Sequence, residues 1–148
     1  YLLKNTVSER GTVSRGVCRV EDGRLLGIKE TLKIRLEPDG TIADEAEGVL
    51  PADAVVSMNF WGFAPSFFRE LEMFFYDFLR YEAGDNIKAE CMLPSLVGKL
   101  IGEGKLKVSV LQSADRWFGM TYHEDRQAVA EELKRLHACG VYPETLRL

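Results

Sequence analysis

Ala54 to Phe63 (AVVSMNFWGF) carries only two polar side chains, Ser57 and Asn59. A run of this kind can leave neither face in water, so it demands cover on both sides and reads as the central strand of a sheet. The next residues offer that cover. Pro65 suits the first turn of a helix, and Phe67, Leu71, Phe74 and Phe78 then recur at helical spacing, flanked by Phe68, Phe75 and Leu79. That spacing makes the aromatic run a packing face and not a ring-stacking site. The helix is expected to stop near Gly84.

Other segments fill out the layers. Thr12 to Val20 is rich in β-branched residues, Asp22-Gly23 favours a tight hairpin turn, and Leu25 to Thr31 reads as the returning strand. Pro38-Asp39-Gly40 signals a second turn, and the acidic, alanine-rich stretch from Ala43 to Gly48 reads as a surface loop. A second helix is expected over about Lys88 to Glu103, with Pro94 in its first turns or marking a later start. Lys105 to Leu111 alternates as a strand does, and Trp117 to Tyr122 reads as another. A last helix begins near Glu124, places Val129, Ala130, Leu133 and Leu136 on one face, and stops at Gly140. Helices alternating with strands imply an α/β fold with a mixed sheet, formed as a single domain over residues 1–148.

Bulk properties exclude several function classes. At 148 residues the chain can bury an ordinary core without staples. Cys18, Cys91 and Cys139 are odd in number and fall in no CxxC or CxxH spacing, which argues against a disulfide framework or a zinc site and fits the reducing cytoplasm. Net charge is -4 with both signs interspersed, so no basic surface is expected for nucleic acid. No apolar run approaches the roughly 20 residues that span a bilayer, so no membrane partner is expected. The chain opens on Tyr1 and runs at once into strand-like sequence, which reads as a segment of a larger fold.

Chemistry has few anchors. The only histidines are His123 and His137, neither in a nucleophile context with a cysteine or hydroxyl, and His137 suits the C-terminal end of a helix. No glycine-rich phosphate loop is present. Asn59 stands out because an amide inside an apolar strand needs a partner, and Gly62 beside it would let a ligand approach the backbone. An alternative reading keeps both structural, with Asn59 satisfying a strand-end backbone group and Gly62 relieving crowding under Trp61. Glu30, at the end of one strand, and Glu90, at the opening of a helix, are the carboxylates chosen to grip sugar hydroxyls, although singly each also reads as a solvated or capping residue.

Taken in order, these segments resemble one family, the sugar-1-phosphate nucleotidyltransferases. Its middle segment has a short strand, an Asp-Gly turn and a strand ending in glutamate; Gly16 to Leu25 and Ile28-Lys29-Glu30 are similar. Its asparagine, then glycine with an aromatic, then proline and helix, is matched by Asn59 to Phe68. A glutamate near the next helix is matched by Lys88-Ala89-Glu90, and a tryptophan-bearing strand ending in Glu-Asp by Trp117 through Asp125.

The resemblance implies the C-terminal part of a three-layer, GT-A-like fold related to glycosyltransferases. It also implies a reaction in which a sugar-1-phosphate oxygen attacks the α-phosphorus of an NTP and pyrophosphate leaves, with Mg2+ as the parent enzyme's cofactor. Asn59, Gly62, Glu30 and Glu90 would surround the sugar, with Lys33 toward its phosphate. The family's glycine-rich nucleotide loop and its mid-chain metal-binding aspartate precede the segment matched here. This part is therefore expected to bind sugar phosphate and to be inert alone, and an unpaired sheet edge makes it a candidate homo-oligomer. A non-catalytic sugar-phosphate-binding or oligomerisation module is the alternative. Two positions depart from the family pattern: Thr31 follows Glu30 where lysine is expected, and Gly119 stands where the tryptophan strand carries a metal-binding aspartate. No residue is assigned as a metal ligand.

Overall fold

A computed structural model describes the chain apart from residues 9, 10, 47, 85, 114, 120–122, 124, 144 and 146–148. The described residues gather into two compact units, Tyr1–Asp115 and Arg116–Leu148. The first contains a 3-10 turn (Leu3–Asn5), strands β1 (Val13–Glu21), β2 (Arg24–Leu36), β3 (Ile42–Asp44), β4 (Gly48–Leu50) and β5 (Val56–Ser57), then helices α1 (Phe67–Asp77) and α2 (Leu93–Gly102). The second contains α3 (Asp125–Ala138). The architecture is mixed α/β, with the five strands in the order β4-β3-β2-β1-β5.

Every pairing between these strands is antiparallel, where a mixed sheet was expected. For the three pairs of consecutive strands, β1–β2, β2–β3 and β3–β4, the reason lies in the connections. Asp22 and Gly23 both take left-handed backbone angles, φ 48 and 71, as a two-residue hairpin turn requires. Thr41 donates its backbone N–H and its hydroxyl to Asp39 Oδ1, at 2.9 and 2.7 Å, in the link from β2 to β3. Links this short return a strand beside its predecessor, whereas a parallel neighbour needs a crossover of a dozen or more residues.

Two expectations for strands change. The stretch Ala43 to Gly48 is not a loop at its ends; Ile42, Ala43 and Asp44 are buried in β3, Glu45 and Ala46 turn, and Gly48 opens β4 by donating to Asp44 Oδ1 at 3.0 Å. The apolar ends, Ile42 and Leu50, pair across this hairpin and draw it into the core. The run from Ala54 to Phe63 forms only the two-residue β5, at the edge beside β1 and not at the centre. Past Ser57 the chain turns through Asn59, φ 55, and Trp61 and Phe63 pack toward the helices instead of continuing the ladder.

Apolar residues lie on both faces of β1 and β2. One cluster joins Ile34, Val56, Ile42 and Leu50 to Leu3. The other joins Leu25 to Phe67, Leu96, Val97 and Leu100 of α1 and α2, with Cys18, Val20 and Ile28 against it. Side chains alternate across a strand, so Val17 serves the first cluster and Cys18 the second. Helix α1 forms as its spacing predicts, continues as a π-helical turn over Phe78–Ala83, and ends at Gly84, φ 46. Helix α2 takes the later of the two starts considered, with Pro94 in its first turn where its missing N–H costs nothing.

Lys105 to Leu111 alternates as expected, with Leu106, Val108 and Val110 half-buried, yet it joins the β1–β2 hairpin through a single bridge, Arg24 to Ser109. Trp117 to Gly119 is not a strand, and the rest of the strand expected there, with the expected helix start at residue 124, lies outside the described residues. Helix α3 stops before Gly140, φ 72, whose left-handed turn lets the Val141 N–H reach the Leu136 carbonyl at 2.9 Å. Among the described residues no helix is long and apolar enough to cross a membrane.

Candidate functional site

Gly16 on β1 faces Glu30 on β2 and Ser57 on β5, so three neighbouring strands contribute one row. Side chains of directly paired residues project from the same face of a sheet. At the middle of this row there is none, and the gap is a notch floored by the Gly16 backbone. A Cβ placed on Gly16 would lie 2.9 Å from Ile28 Cγ2, 3.5 Å from Ser57 Cβ and 3.8 Å from Glu30 Oε2. Glycine is thus required by close approach, and the Glu30 carboxylate overhangs it. Asn59 and Pro94 close the notch, whose volume is about 140 Å³.

Asn59 reaches this place because the chain breaks from β5 immediately before it. Its left-handed conformation is one that asparagine tolerates better than other side chains. Its N–H donates to Ser57 Oγ at 3.2 Å, and its Oδ1 accepts from Trp61 Nε1 at 3.4 Å. Asn59 is exposed, so the expectation of an amide buried in a strand does not hold; its place at the notch comes from the turn. Trp61 stacks on Phe63 with ring centres 5.7 Å apart and planes 12° apart, and Phe63 on Phe67 at 3.7 Å and 6°. This ladder of rings ties the segment to α1.

Trp61, Phe63 and Phe67 also form one wall of a wider cleft of about 1210 Å³, with Lys105 and Lys107 among its polar lining. Ser57 and Met58 line both spaces, so the polar notch and the largely apolar cleft adjoin across a common wall. Gly62 lies on the cleft side, exposed and with nothing within 4 Å of where a side chain would start. Beyond its two chain neighbours it leaves open space there. Sites for small ligands run roughly 300–1,000 Å³, so the notch alone holds one polar corner of a ligand and the cleft has room for the rest.

The remaining predicted residues lie elsewhere. Lys33 has a left-handed backbone, φ 54, at the irregular end of the β1–β2 ladder, and its Nζ is 2.6 Å from Glu45 Oε2. Glu90 is exposed ahead of α2. Neither lines the notch or the cleft. The structure therefore brings Glu30 and Asn59 together, sets Gly62 on the adjoining side, and leaves Lys33 and Glu90 apart.

Sequence reasoning passed over three contributors. Gly16 had a legible signal, a glycine inside a β-branched strand, which marks close approach. Ser57 was noted only as an interruption of an apolar run. Arg15, also on the notch, donates to the Ser14 and Thr6 carbonyls. Burial lowers its guanidinium pKa, and the Glu30 carboxylate pulls the other way, as a nearby opposite charge does. The corner thus offers a carboxylate, an amide and a hydroxyl, a set suited to the hydroxyls of a polar ligand, while the Arg15 guanidinium is turned to the Ser14 and Thr6 carbonyls.

Among the described residues no group of three or more His, Cys, Asp or Glu is arranged to hold a metal ion. At Gly119 a Cβ would lie 2.7 Å from Trp117 Cζ2, so the indole fills the space in which an aspartate would begin. Compared with known proteins, the chain matches no family model and no curated protein.

Proposed function

We propose that this chain is the sugar-phosphate-binding part of a nucleotidyltransferase, with a fold related to the nucleotide-sugar transferases. One observation supports the reading most: Glu30 and Asn59, separated by 29 positions in the sequence, line one notch over Gly16 that shares a wall with the cleft containing Gly62. A monosaccharide would set its hydroxyls in the notch, where the Glu30 carboxylate accepts from them and the Asn59 amide can donate or accept. Its phosphate would lie toward the cleft lysines, Lys105 and Lys107. In the parent enzyme a sugar-1-phosphate oxygen would attack the α-phosphorus of an NTP and pyrophosphate would leave, in the cytoplasm. Magnesium would neutralise phosphate charge in that reaction; none of the described residues is assigned to hold it.

Calorimetric titration with a panel of hexose 1-phosphates tests this reading, with inorganic phosphate and free hexose as controls. Binding should need both halves of the ligand. Glu30→Gln removes a charged hydrogen-bond acceptor and should weaken binding roughly tenfold to a hundredfold. Asn59→Gly keeps the left-handed turn while deleting the amide, and should weaken binding without a loss of fold. No binding to any sugar phosphate, or affinities unchanged in both variants, would overturn the assignment. The ring-filled position at Gly119 favours a second reading, a non-catalytic module on the same fold. Pyrophosphate release by this chain joined to a nucleotide-binding segment distinguishes the two.

A further inference from the structure

Helix α1 buries Phe67 and its π-helical continuation buries Phe78, with Leu71 and Phe74 packed on the same core. Within the first unit, none of the described residues buries the opposite side of this helical segment. Phe68, Met73, Tyr76 and Leu79 are 71%, 56%, 64% and 50% exposed. Single exposed apolar residues are ordinary, but these are neighbours three to five positions apart on one face, and a contiguous patch marks an interaction surface. Aromatic residues, methionine and arginine, all present here, are the types enriched in protein interfaces.

Charge indicates what covers the patch. An antiparallel helix pair with its two-fold axis at Tyr76 sets residues equally far before and after that point opposite each other. Glu72, four positions before, then faces the partner's Arg80, four after, and Met73 faces the partner's Leu79. By symmetry each contact forms twice, as in any isologous interface. Both Glu72 and Arg80 are exposed, Arg80 is held 5.3 Å from the Tyr81 ring centre, and among the described residues Glu72 makes no ion pair within its own chain.

We infer that the outward face of α1 docks a second copy of this chain, the two helices antiparallel about Tyr76 with Glu72 and Arg80 paired reciprocally. The inference stands independently of the sugar-phosphate reading.

Sedimentation equilibrium of the full chain over a wide concentration range should show a monomer–dimer equilibrium. Arg80→Glu sets like charges against each other at both ends of the pair and should weaken the dimer roughly tenfold or more; Glu72→Arg should do the same. The double reversal Glu72→Arg with Arg80→Glu should restore the wild-type constant. A chain that stays monomeric throughout, or a dimer indifferent to both single reversals, overturns the proposal, as does a double reversal no tighter than the singles. Circular dichroism should show all variants folded, and the double reversal guards against misfolding because it carries both changes.

Discussion

Replacing Gly16 with alanine puts a methyl carbon 2.9 Å from Ile28 Cγ2, where apolar carbons rest at about 3.5–4.0 Å. Ile28 or β1 must therefore yield by roughly 0.6–1.1 Å. Ile28 leans on the cluster around Leu25, Phe67 and Val97, and a close-packed neighbourhood resists such shifts at about 1–3 kcal/mol. Against this, alanine lowers the entropy of the unfolded chain and recovers about 0.5–1 kcal/mol. The net expectation is a loss of about 1 kcal/mol, between about 0 and 2.5. Ile28→Leu moves the branch away from Cβ and removes the offending methyl, so the pair should show a favourable coupling of about 1 kcal/mol in a double-mutant cycle. Urea unfolding of the four proteins, followed by fluorescence and by circular dichroism, measures it. A coupling below about 0.3–0.5 kcal/mol would mean that the two sites are independent and that Ile28 is not what excludes a side chain at position 16. The same alanine occupies about a water's share of the 140 Å³ notch, roughly 30 Å³, and should weaken any ligand held there by about tenfold.

Two further outcomes follow from local chemistry. Lys33→Gly should leave stability unchanged or raise it by up to about 2 kcal/mol in urea unfolding, because relief of a left-handed lysine is worth about 1–2 kcal/mol and its exposed pair with Glu45 about 0–1; a clear loss would refute the balance. Burial pushes the Cys18 thiol up, against smaller opposite pulls from the N-terminal ammonium and a backbone hydrogen bond from Ser57, so at pH 8 less of it is thiolate than in an ordinary thiol. Peptide mapping after brief alkylation should find exposed Cys139 modified first, with the Cys18 rate still climbing as pH passes the usual thiol value; Cys18 leading at pH 8 would contradict this.

Local signals carried well through this chain, and long-range competition did not. The Asp22-Gly23 turn and the Phe67, Leu71, Phe74, Phe78 stripe are settled by neighbours in sequence, and both form as expected. The segment Ala54 to Phe63 misleads because its apolar content is needed in two places. Val56 completes one core and Trp61 and Phe63 complete the other, but the second pair gets there through the turn at Asn59, after the ladder has ended at Ser57. At Ala43 to Gly48 the composition looks solvated, yet pairing with β2 and the burial of Ile42 and Leu50 decide the outcome. Of the candidate site, Asn59 was picked out as a polar interruption of an apolar run, though a turn and not a strand places it, and Glu30 as a strand-end carboxylate; Gly16 becomes meaningful only once the register sets it between Glu30 and Ser57.

The hairpin of β1 and β2 supplies side chains to the apolar clusters on both of its faces, and the other elements of the sheet and helix layers serve one or the other. Opening either side strips that hairpin of half its shielding without freeing its own ladder. Its central amides should then be the slowest in the chain to trade hydrogen for deuterium, surrendering only when the whole first unit melts, while β3–β4 and α1 can fray in smaller, separate events.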